Sequence, residues 1–500
     1  MKKFIVNTFF LFICIGVTQL HAQKWKAQAK NYIEDRKYDK ALALLLEKST
    51  RGSSLTDYTL RASVLARQGN YHLALAERTR AALSRKIKLR STNLAAIGEL
   101  SLITGALKPI TLIANRLNRL RRTSNLPASY KIALAWSRLR KNQLDRARKG
   151  LPSLSQIMTI KSRSARSRAL LIAGTILWAK GSRNNASSYF KEVVDMGDNA
   201  LDKGLAQLQM ARIFYESNNI EATSQYLGLI SKRSPQWFEG LLVGSWGAYR
   251  AGDYNLALGQ LMTLRSPYLV NKFNPEIHVL EAVTLYELCY FKSAKRSLDM
   301  LVKRYKGFDR SLRKFRRIYG RSTKGLKYAL SYARGNKSGL SNYSKNHWAL
   351  LMDGILNQDY MSLLDEGRVM IEKQRDFLGD FSKKIRINRY SARHLKFYRD
   401  FMSQSNTEYN RWGIELMSSA LKRMESQVKK SLEQALTINL EIDYRIRDRI
   451  TENKTARTKK VDYDSEIKRG YEFWPFEGEH WKDELGSYYF VTPSACEQGA

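Results

Sequence analysis

The chain has 500 residues, with 86 Lys or Arg against 46 Asp or Glu, a formal charge of +40 at neutral pH. Hydrophobic residues make up 43% and charged residues 26%, an ordinary globular composition that excludes a chain too polar to fold. Eight prolines over this length fit a helical protein.

Met1-Lys2-Lys3 is a short basic start, and residues 4–17 are apolar except for Asn7-Thr8. Leu20-His21-Ala22 then supplies an aliphatic-x-small cleavage site before Gln23. Residues 1–22 therefore read as a secretory signal peptide cleaved after Ala22. A retained anchor is disfavoured because the run is shorter than the ~20 residues of a membrane span. Lipidation at Cys14 is disfavoured because no small residue precedes it. No later segment is long and apolar enough to span, so the expected location is exported, periplasmic or envelope-associated.

From residue 24 a pattern repeats. Gly69-Asn70-Tyr71-His72-Leu73-Ala74 returns as Gly252-Asp253-Tyr254-Asn255-Leu256-Ala257, and Lys37-Tyr38-Asp39-Lys40-Ala41 is a copy without the glycine. With the final alanine as anchor, the units are anchored at Ala41, Ala74, Ile110, Ala147, Ala186, Thr223, Ala257 and Ala294, spaced 33 to 39 residues apart. Twelve residues before each anchor stand Ala29, Ala62, Gly98, Ala135, Gly174, Ala211, Ser245 and Ala282, all small. Small residues at fixed offsets let two helices approach, and the glycine ends the first helix of each pair.

This pattern resembles the tetratricopeptide repeat, a helix-turn-helix unit of about 34 residues. The resemblance covers roughly residues 24–306, clearest in the first, second and seventh units and degenerate in the third and fourth. It implies an all-α, tetratricopeptide-like helical solenoid over residues 23–306, about eight helix pairs. It also implies that the first helix of each pair lines a groove. The residues expected to face a partner there are Trp136, Arg140, Trp178, Arg212, Tyr215, Trp246, Tyr249, Arg250 and Tyr286. Aromatic and arginine side chains are the usual anchors of interfaces.

The charge is patchy. Residues 108–168 hold sixteen Lys or Arg and one acid, Asp145, and residues 303–345 hold fourteen and one acid, Asp309. Such a field attracts anions over about a Debye length. Behind a signal peptide these are an anionic wall polymer, lipopolysaccharide, anionic lipid headgroups or an acidic protein, with no nucleic acid expected. The plain alternative is a solvated basic surface.

Residues 307–346 form a glycine-punctuated basic transition, either one more degenerate unit or a joint. Residues 347–455 read as a helical, coiled-coil-like region. Within it, 408–455 is expected to be one long helix with a stripe through Ile414, Met417, Leu421, Met424, Val428, Leu432, Ala435, Ile438, Ile442, Ile446 and Ile450. The stripe packs against the helices before it or, alternatively, against another chain. Residues 456–500 are linker and an irregular aromatic-acidic tail, with Trp474, Phe476 and Trp481 expected to dock it on the protein's own basic surface. The ending, with a Trp-Pro-Phe and a later Trp-x-Asp-Glu-Leu-Gly, is similar to that of envelope tetratricopeptide proteins of gliding and predatory bacteria. In an oxidising compartment Cys289 and Cys496, the two cysteines beyond the signal, are candidates for a disulfide. The alternative is that Cys289 is a small buried residue.

The remaining motifs speak against catalysis. Histidines 72, 278, 347, 394 and 480 are scattered without metal-ligand spacing, and neither a phosphate loop nor a nucleophile elbow occurs. No cofactor and no metal are expected. The sequence thus points to a non-enzymatic, exported scaffold that binds other envelope proteins and helps to assemble or organise a complex. The alternative is a basic module that binds cell wall or lipopolysaccharide directly.

Overall fold

The computed structural model describes residues 24–48, 54–84, 90–119, 125–197, 199–357, 359–451, 467–468, 472 and 478–496. The expected signal peptide, Cys14, Trp474 and Phe476 lie outside these residues. Among the described residues there is no strand.

The chain runs as helix pairs: α1 (24–34) with α2 (Tyr38–Glu47), α3 (Leu55–Arg67) with α4 (Tyr71–Leu83), α5 (Ser91–Thr104) with α6 (Lys108–Arg119), and α7 (Ala128–Leu139) with the short α8 (Leu144–Lys149) and α9 (Leu154–Met158). There follow α10 (Arg163–Ala179) and α11 (Arg183–Met196), α12 (Ala200–Glu216) and α13 (Ile220–Gly228), α14 (Trp237–Arg250) and α15 (Tyr254–Arg265), and α16 (Glu276–Glu287) and α17 (Phe291–Tyr305).

The repeat register is carried by the backbone. Five residues before each anchor the chain turns left-handed, at Arg36, Gly69, Gly105, Asn142, Gly181, Asn218, Gly252 and Cys289, with φ between 55° and 77°. In seven of the eight turns the next N–H reaches back five residues, as from Asn70 to the Leu65 carbonyl and from Tyr290 to that of Leu285, both 2.8 Å. This bond closes the first helix by satisfying a carbonyl that its own ladder cannot reach. The third turn closes more simply, with the Gly105 N–H on the Ser101 carbonyl at 2.8 Å. All eight anchors are fully buried, and so are the eight small residues twelve positions earlier. At Gly98 the approach is closest: a Cβ there would stand 2.4 Å from the Tyr130 backbone nitrogen.

Residues 307–346, read as transition or degenerate unit, hold a further pair, α18 (Phe308–Tyr319) and α19 (Thr323–Ala333). Phe308, Leu312 and Phe315 of α18 are fully buried, in a ring cluster with Phe273, Tyr305, Tyr343 and Trp348. Then come α20 (Lys345–Leu356), α21 (Met361–Lys384) and the 63-residue α22 (Arg389–Thr451).

Helix α22 starts some twenty residues before the expected 408. In the polar run before 408 the Ser405 and Thr407 hydroxyls donate to the carbonyls of Phe401 and Ser403 four residues back. Polar side chains that bond locally in this way are compatible with a continuing helix. The expected stripe is otherwise in place: Met417, Leu421, Met424, Val428, Ala435 and Ile442 are buried, and Ile414, Leu432, Ile438 and Ile446 half-buried. It packs within the chain, since a Cβ on Gly354 of α20 would meet the Met424 side chain at 2.4 Å.

The chain divides into two compact units that cut across the order of the sequence. One holds residues up to Ser182 with Leu364–Tyr409; the other holds Arg183–Leu363 with the chain from Asn410 onward. Each unit therefore combines helix pairs with a C-terminal segment.

Gly98→Ala should destabilise by about 1–3 kcal/mol, because the methyl meets backbone that cannot rotate away. Arg36→Gly, at a left-handed turn where a side chain is strained, should raise stability by up to about 1 kcal/mol. Urea unfolding of the two variants checks both signs.

Candidate functional site

Most of the nine residues expected to line a groove for a partner make contacts within the chain. Trp136 is buried, and the Arg140 guanidinium lies 4.2 Å over its ring, donates to the Gly105 carbonyl at 2.9 Å and pairs with Glu408 at 3.8 Å. Trp178 is half-buried. Arg212 bridges Glu239 at 3.1 Å and Asp359 at 3.3 Å. Arg250 covers the Tyr215 ring and donates to the Tyr215 carbonyl and the Asn218 side chain. Trp246 packs on the cluster around Phe238, Leu261 and Leu280, with Tyr249 edge-on to it. Tyr249 donates to Glu287, and Tyr286 donates to Glu441 while accepting from Arg445. Three of these residues meet acids from later in the chain of the same unit: Arg140 meets Glu408, Arg212 meets Asp359 and Tyr286 meets Glu441.

In the first unit the closure is a set of long-range helix caps. Helix α4 has no side-chain cap from Asn70. Its first N–H groups, those of His72 and Leu73, donate instead to the Gln374 side-chain oxygen at 3.1 and 3.3 Å. The Gln374 amide in turn donates to His72 Nδ1. Tyr409 gives its hydroxyl proton to the Thr104 carbonyl, so His72 Nε2, 2.9 Å away, is the donor to the Tyr409 oxygen. Every ring nitrogen is satisfied in the neutral tautomer, and burial pushes the His72 imidazole down to about 3. The Glu408 carboxylate caps α6 in the same manner, accepting from the Leu107 and Lys108 N–H groups at 2.9 and 3.1 Å. Beside these caps lies a buried ion cluster. Arg61 and Glu77, both fully buried, pair at 2.7 Å, with His394 Nδ1 3.4 Å from the Glu77 carboxylate. Burial alone would raise the Glu77 carboxyl, but Arg61 and His394 override it and hold it at about 2.

In the second unit Asp353 of α20 accepts from the Phe273 N–H and the Lys272 ammonium, both at 2.8 Å. The tail segment 478–496 lies across α15 and the turn after α16. Its backbone does the holding: Gly486 N–H to Thr263 Oγ1 at 2.9 Å, Phe490 N–H to the Asn255 carbonyl at 3.2 Å, Thr492 N–H to Asn255 Oδ1 at 3.0 Å and Ala495 N–H to the Leu288 carbonyl at 2.9 Å. Tyr290 and Lys232 donate to the carbonyls of Pro493 and Asp483. Cys289 and Cys496 are joined in a disulfide, Cα to Cα 5.2 Å. The strap passes so close to α15 that a Cβ on Gly259 would overlap the Tyr488 carbonyl. Of the expected anchors only Trp481 is among the described residues, and it is 54% exposed, while Leu485 and Ala495 are buried.

Among the described residues three surfaces stand out. A cavity of about 440 Å³ in the first unit is lined by Tyr58, Leu83, Pro109, Leu112, Phe397 and Phe401, with Arg80 over the Phe397 ring, and has room for an apolar side chain. On α22, Leu436, Leu440 and Tyr444 are exposed one turn apart, at 68, 72 and 60%. On α18 the outer face is basic. Among the described residues no cluster of His, Cys, Asp or Glu suited to a metal ion occurs, and no helix is long and apolar enough to cross a membrane.

No family profile matches the chain, and no curated protein matches it. Among solved structures it is similar to the P58(IPK) TPR domain (14% identity, TM-score 0.22, 77% of this chain and 98% of that one). It is also similar to yeast Tom70 (13%, TM-score 0.26, 86% and 97%) and to a circular tandem repeat protein (13%, TM-score 0.16, 84% and 97%). At these values the likeness carries no argument; the helix-pair register stands on the geometry above.

Two outcomes follow. His72 and His278, both pushed down to about 3, stay neutral in the fold while the unfolded chain protonates near 6.5. Stability is then full above pH 6.5 and falls as the pH drops below it, by about 2 kcal/mol per histidine at pH 5. His72→Gln should flatten the fall in urea midpoint between pH 7.5 and 5. Separately, Gly259→Val should lift the strap and speed proteolysis within 478–496 even with the disulfide intact, read by limited proteolysis and mass spectrometry.

Proposed function

We propose that this protein is a non-enzymatic scaffold, exported to the cell envelope, where it holds together a protein complex. Export is supported by the basic, apolar and small-residue order of residues 1–22, and by the Cys289–Cys496 bond, which an oxidising compartment maintains. The observation that carries the scaffold reading is the bare row Leu436, Leu440 and Tyr444. The same helix buries its other apolar stripe within the chain, so the second row is not a leftover of core packing. A row one turn apart fits the apolar face of another protein's helix.

The groove row does not supply this surface, because its polar residues are paired within each unit. Binding therefore belongs to α22, and the helix pairs serve to hold that helix rigid. Affinity capture from envelope extract, with the wild type beside Leu436→Asp/Leu440→Asp, tests the reading. A protein partner whose yield falls at least tenfold in the double variant, with the melting temperature unchanged, supports it. Equal capture by both proteins, or no protein captured even after cross-linking, overturns it.

A further inference from the structure

The outer face of α18 is a row of guanidinium groups with nothing packed over it. Arg310, Arg313 and Arg317 follow one another at three- and four-residue steps, Arg321 follows in the turn just past the helix, and all four are exposed. At 3.6 residues per turn the three helical arginines lie opposite Phe308, Leu312 and Phe315, which are fully buried. Arg313 shares its charge with Asp309 at 2.5 Å, the one acid of residues 303–345. Lys324 and Lys327 at the start of α19 are exposed as well.

We propose that this face docks on a membrane surface rich in anionic phospholipid. Charge complementarity requires a polyanion, and arginine forks grip phosphate oxygens in pairs. One observation selects the lipid. Ile318, beside Arg317 in sequence and flanking the arginine row, is 48% exposed. A bare aliphatic side chain at a basic face gains from the boundary between headgroup and acyl chain, and gains nothing from a hydrated polymer. The main apolar face of α18 is committed to the core, so only the exposed edge of the helix reaches the headgroup boundary, and binding is chiefly electrostatic and salt-sensitive.

The inference is independent of the scaffold reading, and its test contains no protein partner. Full-length protein is sedimented with vesicles of phosphatidylcholine containing phosphatidylglycerol, and with phosphatidylcholine alone. The wild type should bind only the anionic vesicles and be released by salt. Arg310→Gln/Arg313→Gln/Arg317→Gln/Arg321→Gln should bind about a hundredfold more weakly, at roughly the loss expected for several basic residues at a charged surface. Lys141→Gln/Arg146→Gln/Arg148→Gln/Lys149→Gln removes the same charge elsewhere and should stay within a few-fold of the wild type. Circular dichroism establishes that each variant is folded. Equal loss in both variants would reduce the effect to net charge and overturn the assignment to α18. Binding to a soluble anionic polysaccharide without binding to anionic vesicles would overturn the lipid.

Discussion

The backbone N–H groups at the start of a helix have no partner in their own ladder, and in this protein they decide where the C-terminal chain goes. In a tight helix pair the second helix starts directly after a left-handed turn, leaving one residue in which to place a cap. Asn219 and Asp253 are such residues and cap α13 and α15 locally. Asn70 does not cap α4, and Gln374, about three hundred positions later, does so in its place. Glu408 serves α6 at a similar separation. A buried or half-buried helix start left without an acceptor costs about 1–3 kcal/mol per group, so each borrowed cap fixes the register of α21 or α22 against its helix pairs.

Contacts made by distant parts of the chain also reach the row expected to face a partner. Positions that face outward from the first helix of a pair were read as available to a partner, because one unit of a repeat says nothing about what the rest of the chain lays over it. Local chemistry was legible: the anchors, the small residues twelve positions earlier and the stripe of α22 all follow from short-range periodicity. The left-handed turns were legible where glycine marks them, as at Gly69 and Gly252, and hidden where Arg36 or Cys289 takes the same conformation. Gln374, Glu408 and Asp353 carried no local signal, since a polar residue on a charged helix looks the same whether it faces water or a helix terminus. Tail docking was argued from aromatic burial. The described part of the tail is held by the Cys289–Cys496 disulfide, which the two cysteines beyond the signal made legible, and by backbone hydrogen bonds, which no residue pattern announces.

The ion cluster of Arg61, Glu77 and His394 belongs to this logic of register. Its members lie on α3, α4 and α22, and none reaches water. Buried pairs of this kind add little net stability over apolar residues of equal size, because desolvation offsets the attraction. Their effect is on alternatives: sliding α22 by one turn would leave Glu77 facing Arg61 without His394, and would take Tyr409 from His72 and Glu408 from α6. Apolar packing alone tolerates such a slip, because the stripe repeats every three or four residues. The polar contacts do not repeat, so they specify the one alignment among many that the hydrophobic stripe permits. Within the first unit, a helix whose apolar stripe permits several alignments has a physical reason to place charges where they cost the most to misplace.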